Sequence, residues 1–212
     1  MDKLPISLCV VTSNSADRIG QMLEKHKGIV SEILVVVQNS KDDTFKIAQK
    51  YADFVFKKTN KGAADPDRNW LFSIARFPWV LYLDDDEYLP SETVQVLPEL
   101  LNANVDIYWL KTKNIVDGVD IKSILGDDPH PRLFKLGALR YNDQETNLDH
   151  TFPSCAENAK SAYVNYSIVH DRTLKKIKES NRARNRIATD KQIQMQENFI
   201  RYVEELLDNQ EN

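Results

Sequence analysis

The apolar residues of this chain fall into short continuous runs, separated by polar turns and by stretches with helical spacing. Ile6 to Val11 has the length and aliphatic content of a strand buried on both faces. It ends in the glycine-free polar turn Thr12-Ser13-Asn14-Ser15. Ile19, Met22 and Leu23 share one face of a helix from Ala16 to about His26, with Ser15 as its cap and Gly28 as its stop. His26 reads as an exposed helix-end residue. Glu32 to Val37 is a second buried strand, and it runs into the polar turn Gln38 to Thr44. Asp42 or Asp43 caps a helix through Tyr51. Phe54 to Phe56 is a short third strand. Asp65-Pro66 places a cap and then proline at a first helical position, and the helix that follows buries Trp70, Leu71 and Ile74. Trp79 to Leu83 is the fourth strand, and it stops at four consecutive acids, Asp84-Asp85-Asp86-Glu87.

Wholly apolar strands alternating with amphipathic helices predict an α/β fold: a Rossmann-like, mostly parallel sheet flanked by helices. In such sheets ligands bind beyond the carboxyl ends of the strands. Thr12 to Ser15, Gln38 to Asp43 and Asp84 to Glu87 should therefore meet along one edge. Beyond Glu87 the pattern changes. Ser91 to Leu101 is helical and should break at Pro98. Val105 to Lys111 alternates like a strand with one more exposed face. Asp117-Gly118 sits between apolar runs as a hairpin turn. Arg132 to Leu136 and Tyr163 to His170 are further strands, with irregular chain between. From Thr173 onward the sequence is helical, as two helices meeting near Thr189-Asp190.

The 212 residues suit one domain with an appendage, and 42% hydrophobic against 28% charged residues supports a packed core. A net charge of −4 argues against nucleic acid as a partner. Cys9 lies in an apolar run and Cys155 far from it, which fits a reducing compartment without disulfides. Met1 to Pro5 lacks the pattern of an export signal, and no apolar run approaches the roughly 18 residues of a membrane span. The expected location is cytoplasmic, free or peripheral at the inner face of the membrane.

The acids carry the chemistry. Neighbouring carboxylates repel by on the order of kcal/mol per pair in a half-desolvated site. Two readings stand: a solvated acidic turn, or oxygen ligands gathered by Mg²⁺, Mn²⁺ or Ca²⁺. On an extended segment Asp84 and Asp86 point one way and Asp85 another. A cation held by one or two carboxylates can neutralise a diphosphate leaving group. Glu87 supports that site or caps the next segment.

Val10-Val11-Thr12-x-Asn14, Glu32-Ile33-x-Val35-Val36, Ser40-x-Asp42-x-Thr44, Arg68-Asn69 and Trp79-Val80-Leu81-x-Leu83-Asp84-Asp85-Asp86-Glu87-x-Leu89, in this order, resemble the family-2 inverting glycosyltransferases of GT-A fold. The chain is most similar to the small bacterial branch with lipopolysaccharide-core β-glucosyltransferases. The resemblance covers residues 5 to 90 and continues weakly through Pro131 to Phe134 and Val169-His170. It implies a nucleotide-diphosphate sugar donor, a UDP-sugar above all, with Mn²⁺ or Mg²⁺, and a glycan or glycolipid acceptor for a lipopolysaccharide or other polysaccharide. It implies a nucleotide-binding half over 1–90, an acceptor-side half over 91–170 and a helical segment over 171–212. Asp84 to Asp86 correspond to the DxD motif, with Asp86 as metal ligand and Asp84 on the ribose or the metal; Asp85 belongs to the donor site. Thr12, Asn14 and Arg68 lie where the family meets the nucleotide, although Arg68 also suits an ion pair with Asp65.

The chain departs from the family at Val37-Gln38, where an acid usually ends the second strand; Gln38 can offer its carbonyl instead. Inverting transfer needs a base for the acceptor hydroxyl. Glu145 takes that role, with Asp143 and Asp149 as rivals. His170 is a metal or phosphate ligand or a strand-end residue bonded to backbone. Residues 172–186 hold seven Lys and Arg against one acid, a solvated helix face or a contact for anionic lipid. Phe199, Val203 and Leu206 form an apolar face for the domain or for a second copy of the chain. Rival functions are a catalytically silent nucleotide- or sugar-binding module and a nucleotidyltransferase, though the latter normally wants glycines after the first strand.

Overall fold

The computed structural model describes residues 2–59, 65–122, 128–141, 153–184 and 190–208. Strands β1 (Leu4–Thr12), β2 (Val30–Gln38), β3 (Phe54–Lys58) and β4 (Trp79–Tyr82) are mutually parallel, in the order β3-β2-β1-β4. Their registers bring Thr12 opposite Val37 and Gln38 opposite Lys58. Three polar carboxyl ends thus stand side by side, as the run pattern requires. Past β4 the sheet turns mixed. β8 (His130–Lys135) pairs antiparallel with β4, and β6 (Ile107–Val116) pairs antiparallel with β8. β11 (Ser161–Arg172) and the short β5 (Glu87–Tyr88) complete the sheet. Outside this path, β7 (Val119–Asp120) pairs with β6, and β9 (Leu139–Arg140) with β10 (Ser154–Cys155).

The chain forms two compact units, Met1–Lys111 with Pro129–Ile168, and Thr112–Asp128 with Val169–Asn212. In the first, the central strands are buried on both faces, which is why they lack polar alternation. Ile6, Leu8, Val10, Leu81 and Leu83 pack one side with helices α1 (Ile19–Lys27) and α4 (Ser91–Asn102). Cys9, Val36, Val80 and Tyr82 pack the other, with Leu71, Phe72 and Ala75 of α3 (Asp65–Ile74). The short α2 (Thr44–Ala48) flanks β2 and β3. In the second unit, the β6–β7 hairpin turns at Asp117 and Gly118, both at positive φ, the geometry an Asp-Gly turn supplies. Val116, Ile121, Ile177 and Val203 form its core, with α5 (Leu174–Arg184) and α6 (Asp190–Asp208). The apolar face of the tail is therefore covered by its own chain, and Val203 is fully buried.

Several local expectations change. Helix α1 begins at Ile19, not Ala16, because the Ser15 hydroxyl that was to cap it binds elsewhere. Helix α4 runs unbroken through Pro98. Its buried Thr93 and Leu97 and the packing of Val94, Leu100 and Leu101 outweigh one missing backbone hydrogen bond. Helix α2 ends at Ala48 rather than Tyr51. His26 is wholly buried instead of exposed: its ring joins the Met22 carbonyl through Nδ1 (2.7 Å) and accepts the Leu89 N–H at Nε2 (3.2 Å). Leu89 follows the acidic turn, so α1 braces that segment from behind. No helix among the described residues is long and apolar enough to cross a membrane.

Candidate functional site

The loops after β1 and β2 are knit by hydrogen bonds. Asn14 donates its N–H to Ser40 Oγ (2.9 Å), and its side-chain oxygen accepts the Lys41 N–H (2.9 Å). Ser15 N–H reaches Thr44 Oγ1 (2.7 Å), and Ala16 N–H reaches Asp42 (3.1 Å). Asp42 also accepts the Thr44 N–H and hydroxyl, closing a local turn. Asn14 and Asn39 sit at φ +50° and +44°, a region asparagine tolerates and branched residues do not.

Asp85 joins the third loop to the first. Its Oδ2 accepts the hydroxyls of Thr12 and Ser15, both at 2.5 Å, and its Oδ1 accepts Arg18 Nε at 2.8 Å and Nη2 at 2.7 Å. Burial, the leading influence, pushes this carboxyl up from the usual range, against Arg18 and the two hydroxyls, which favour its charged form. Thr12 and Asp85, both placed on the donor by the family resemblance, thus spend their side chains on each other. Asp85 faces Thr12, Ser15 and Arg18, while Asp84, at the start of the hydrogen-bonded turn that ends at Glu87, lies among other partners.

Asp84 lies in a second cluster. Tyr82 donates its hydroxyl to Asp84 Oδ1 (2.7 Å) and accepts Arg68 Nε (2.6 Å). Arg132, from β8, places one Nη2 on Asp84 Oδ2 (3.1 Å) and Glu87 Oε1 (2.6 Å). Glu87 is 2% exposed; its other oxygen accepts the Asp84 N–H (2.9 Å), while its own N–H returns to the Asp84 carbonyl (3.0 Å). Glu87 therefore closes the acidic turn as well as pairing with Arg132. The buried guanidinium would lose its proton more readily from desolvation alone, but Glu87 and Asp84 hold it firmly charged. Arg68 also lies over the rings of Tyr82 (4.9 Å) and Tyr141 (5.0 Å) and 3.7 Å from Asp84. Asn69 exchanges two hydrogen bonds with the Tyr141 backbone (2.8 and 2.9 Å), fixing that ring's place. The described contacts of Arg68 run to these aromatic groups and to Asp84.

Asp86 is half-buried in the same turn and close enough to contribute to the charge field at Arg18. Gln38 is buried and donates its amide to Asp67 (2.5 Å), which also pairs with Lys58 (3.1 Å); Lys58 lies over Trp70 at 3.6 Å. Beside these residues a cavity of about 360 Å³ opens at the ends of β2 and β3, lined by Asn39, Ser40, Asp42, Lys46, Lys57 and Lys58. His170 belongs to the second unit, where Nδ1 lies 3.1 Å from Asn114 Oδ1. Glu145, with Asp143 and Asp149, lies outside the described residues. Among the described residues no three His, Cys, Asp or Glu side chains form a group that could hold a metal ion. Both oxygens of Asp84 already take a side-chain donor, Tyr82 on Oδ1 and Arg132 on Oδ2, and Asp86 is the half-buried carboxylate two positions on in the same turn.

Sequence reading passed over Arg18, Asp67, Tyr82 and Arg132. Arg132 had a signal, a lone charge within the apolar run Pro131 to Phe134. Tyr82 had another, a hydroxyl two residues before the first acid. Arg18 and Asp67 had none, because their partners lie 67 and 29 positions away.

The parallel half-sheet, its polar carboxyl edge and the acidic turn after the fourth strand place the chain in the GT-A class of folds. Within that class it belongs to glycosyl transferase family 2, whose pattern matches residues 7–164. The crystal structure of S. aureus TarS shares the fold with a TM-score of 0.54 at 20% identity, over 66% of this chain and 30% of that one. An uncharacterized glycosyltransferase of Rickettsia felis is 34% identical over 87 residues, 41% of this chain and 30% of that protein. The lipopolysaccharide core biosynthesis glycosyltransferase LpsC of Rhizobium meliloti is 28% identical over 111 residues, 50% of this chain and 40% of that protein. The chain thus spans well under half the length of these curated relatives.

Proposed function

We propose that this chain is a glycosyltransferase domain that moves a sugar, with inversion, from a UDP-sugar or related donor to a hydroxyl of a glycan or glycolipid. The observation that carries this reading is the tie made by Asp85. It binds the first and fourth strand ends together and so fixes the turn that carries Asp84 and Asp86 at the carboxyl edge. The named activity of LpsC supports a lipopolysaccharide or related acceptor.

Thr12, Asn14, Gln38 and Arg68 would form the walls and floor of the donor site, Thr12 and Gln38 through the loops they brace. Asp86, with Asp84, would hold Mn²⁺ or Mg²⁺, which supplies charge neutralisation to a departing diphosphate. Arg68 and Arg132 place two positive charges beside Asp84. A base, assigned to Glu145 by resemblance, takes the acceptor proton as the acceptor oxygen bonds to the anomeric carbon; the bond to the diphosphate breaks and its electron pair leaves with the phosphate oxygen. The basic run 172–186 is a proposed contact for anionic lipid, although Lys178 is already paired with Glu204 (2.6 Å).

Isothermal titration with UDP-sugars and Mn²⁺, run beside a donor-hydrolysis assay, tests the reading. Binding with turnover is expected, and Asp86→Ala should abolish the turnover. Binding without hydrolysis or transfer for any donor would instead mark a silent binding module.

A further inference from the structure

Arg132 is a nearly buried guanidinium, 7% exposed, that works through one nitrogen. Its Nη2 alone serves both carboxylate partners, Asp84 at 3.1 Å and Glu87 at 2.6 Å. A fork built only to pair with a carboxylate sets two nitrogens side by side on the two oxygens. Here Nε is buried with no acceptor, and among the described residues Nη1 has none either. Nε is closed off from solvent, whereas Nη1 is not. The guanidinium therefore keeps one unused N–H group within reach of a ligand.

The sheet sets the place of that group. β8 runs antiparallel to β4 with Leu133 opposite Leu81, so Arg132 falls one position further toward the carboxyl end of β4, beside Tyr82. The guanidinium lies 5.1 Å from the Tyr82 ring, a cation–π contact that supports it from one side. Asp84, the partner it shares with the Tyr82 hydroxyl, keeps 37% of its side chain open. Arg132 thus ends beside an accessible carboxylate, at the edge where sheets of this kind take their ligands. All of these groups belong to the first unit.

The donor set defines the ligand. A guanidinium offers charged N–H groups and no acceptor, so its partner is an anionic oxygen. The acids of the turn repel an anion, and one that settles here needs a donor aimed at it. We infer that Arg132 is a leaving-group residue whose Nη1 donates to an oxygen of the sugar donor's diphosphate, an inference that rests on the proposed transferase reading. As the bond from the anomeric carbon to the phosphate oxygen breaks, its electron pair stays on that oxygen. Arg132 stabilises the charge by hydrogen bonding and keeps its own proton. Glu87, in this scheme, holds the arginine in position.

The test titrates the full chain, in Mn²⁺, with uridine and UDP and with the guanosine and adenosine pairs beside them. Glu87→Gln is the reference, because it keeps Arg132 and removes the carboxylate that loss of the arginine strands. Against it, Arg132→Met/Glu87→Gln should bind the diphosphate tenfold or more weakly, with nucleoside affinity within twofold and Mn²⁺ affinity not lowered. Equal loss of nucleoside and diphosphate marks a structural role and overturns the inference. So does an unchanged diphosphate affinity, or a loss that follows weakened Mn²⁺ binding. Where the double variant does not fold, Arg132→Lys decides: it keeps a charge for Glu87 but lacks the fork, and it should bind the diphosphate at least threefold more weakly than wild type. Diphosphate affinity equal to wild type in that variant overturns the inference. A wild type that binds no nucleoside diphosphate overturns the transferase reading and the inference with it. Diphosphate binding that depends on Arg132, without transfer from any donor, overturns the transferase reading and leaves the phosphate contact standing.

Discussion

Arg18 sets two N–H groups on Oδ1 of Asp85 while Thr12 and Ser15 share Oδ2, so the middle acid of the motif is saturated by the loop it supports. One position away, Asp86 is half-buried in the turn. Adjacent acids of one motif should therefore fail in opposite ways. Asp85→Ala leaves Arg18 and two hydroxyls without their acceptor and should cost about 2–4 kcal/mol in urea denaturation. Asp86→Ala should stay within about 1 kcal/mol of wild type yet lose metal-dependent donor turnover. Equal stability of the two variants would contradict the division of labour.

Arg132 and Glu87 form the most buried ion pair of the cluster, at 2.6 Å. Arg132→Met should destabilise by about 3–5 kcal/mol, because it strands a buried carboxylate. Adding Glu87→Gln removes that charge but keeps an oxygen for the Asp84 N–H. The double variant should then be more stable than the sum of the single losses predicts, and a double-mutant cycle in urea measures the coupling.

His26 titrates against the fold. Burial lowers it from 6.5 to about 4, so the native state holds it neutral where the unfolded chain is protonated. Its contribution is complete above pH 6.5 and is lost as the pH falls toward 4, by about 3 kcal/mol in all. Urea midpoints across that window, for wild type and His26→Gln, isolate the effect by difference. Parallel curves would refute it.

Gln38 stands where the family resemblance led us to expect an acid, and Asp67 already lies 2.5 Å from its amide. Gln38→Asp would set two carboxylates against each other around one Lys58. It should lose about 1–2 kcal/mol near neutral pH, and Asp67→Asn should restore most of the loss. A stable Gln38→Asp single variant would show that Asp67 does not occupy the place of the missing acid.

Glu145 is tested separately. Glu145→Gln should leave UDP-sugar binding intact and reduce transfer at least a hundredfold. Unchanged transfer moves the base to Asp143 or Asp149.

The parallel half of the fold was legible because each strand is an uninterrupted apolar run and each turn is polar. Asp117-Gly118 announced its hairpin by composition alone. The meeting of three strand ends followed from topology, and the acidic turn was visible as an electrostatic anomaly. Less was legible where one side chain had two uses. Ser15 has the right spacing for a helix cap, but a buried carboxylate 70 positions away claims its hydroxyl. His26 looked like a surface residue because its neighbours Lys25 and Lys27 are charged, and only the fold brings the Leu89 N–H to its ring. Pro98 obeyed a local rule that the packing of its helix overrides. Tyr82 lies two residues from Asp84, but its other side-chain partners, Arg68 of α3 and Arg132 of β8, stand at separations that no local pattern encodes.

The pairing of Arg132 with Glu87 also sets an order of assembly. As the chain emerges during synthesis, the acidic turn is complete 45 residues before its counter-charge exists. Until β8 arrives, Glu87 has no guanidinium to meet and every reason to remain in water. The first four strands can associate early, through contacts close in sequence, but the turn they carry should settle only when β8 docks on β4. Closure of the acidic turn is thus coupled to the later, antiparallel half of the sheet, and a nascent chain halted before Arg132 would hold a sheet whose ligand edge is still open.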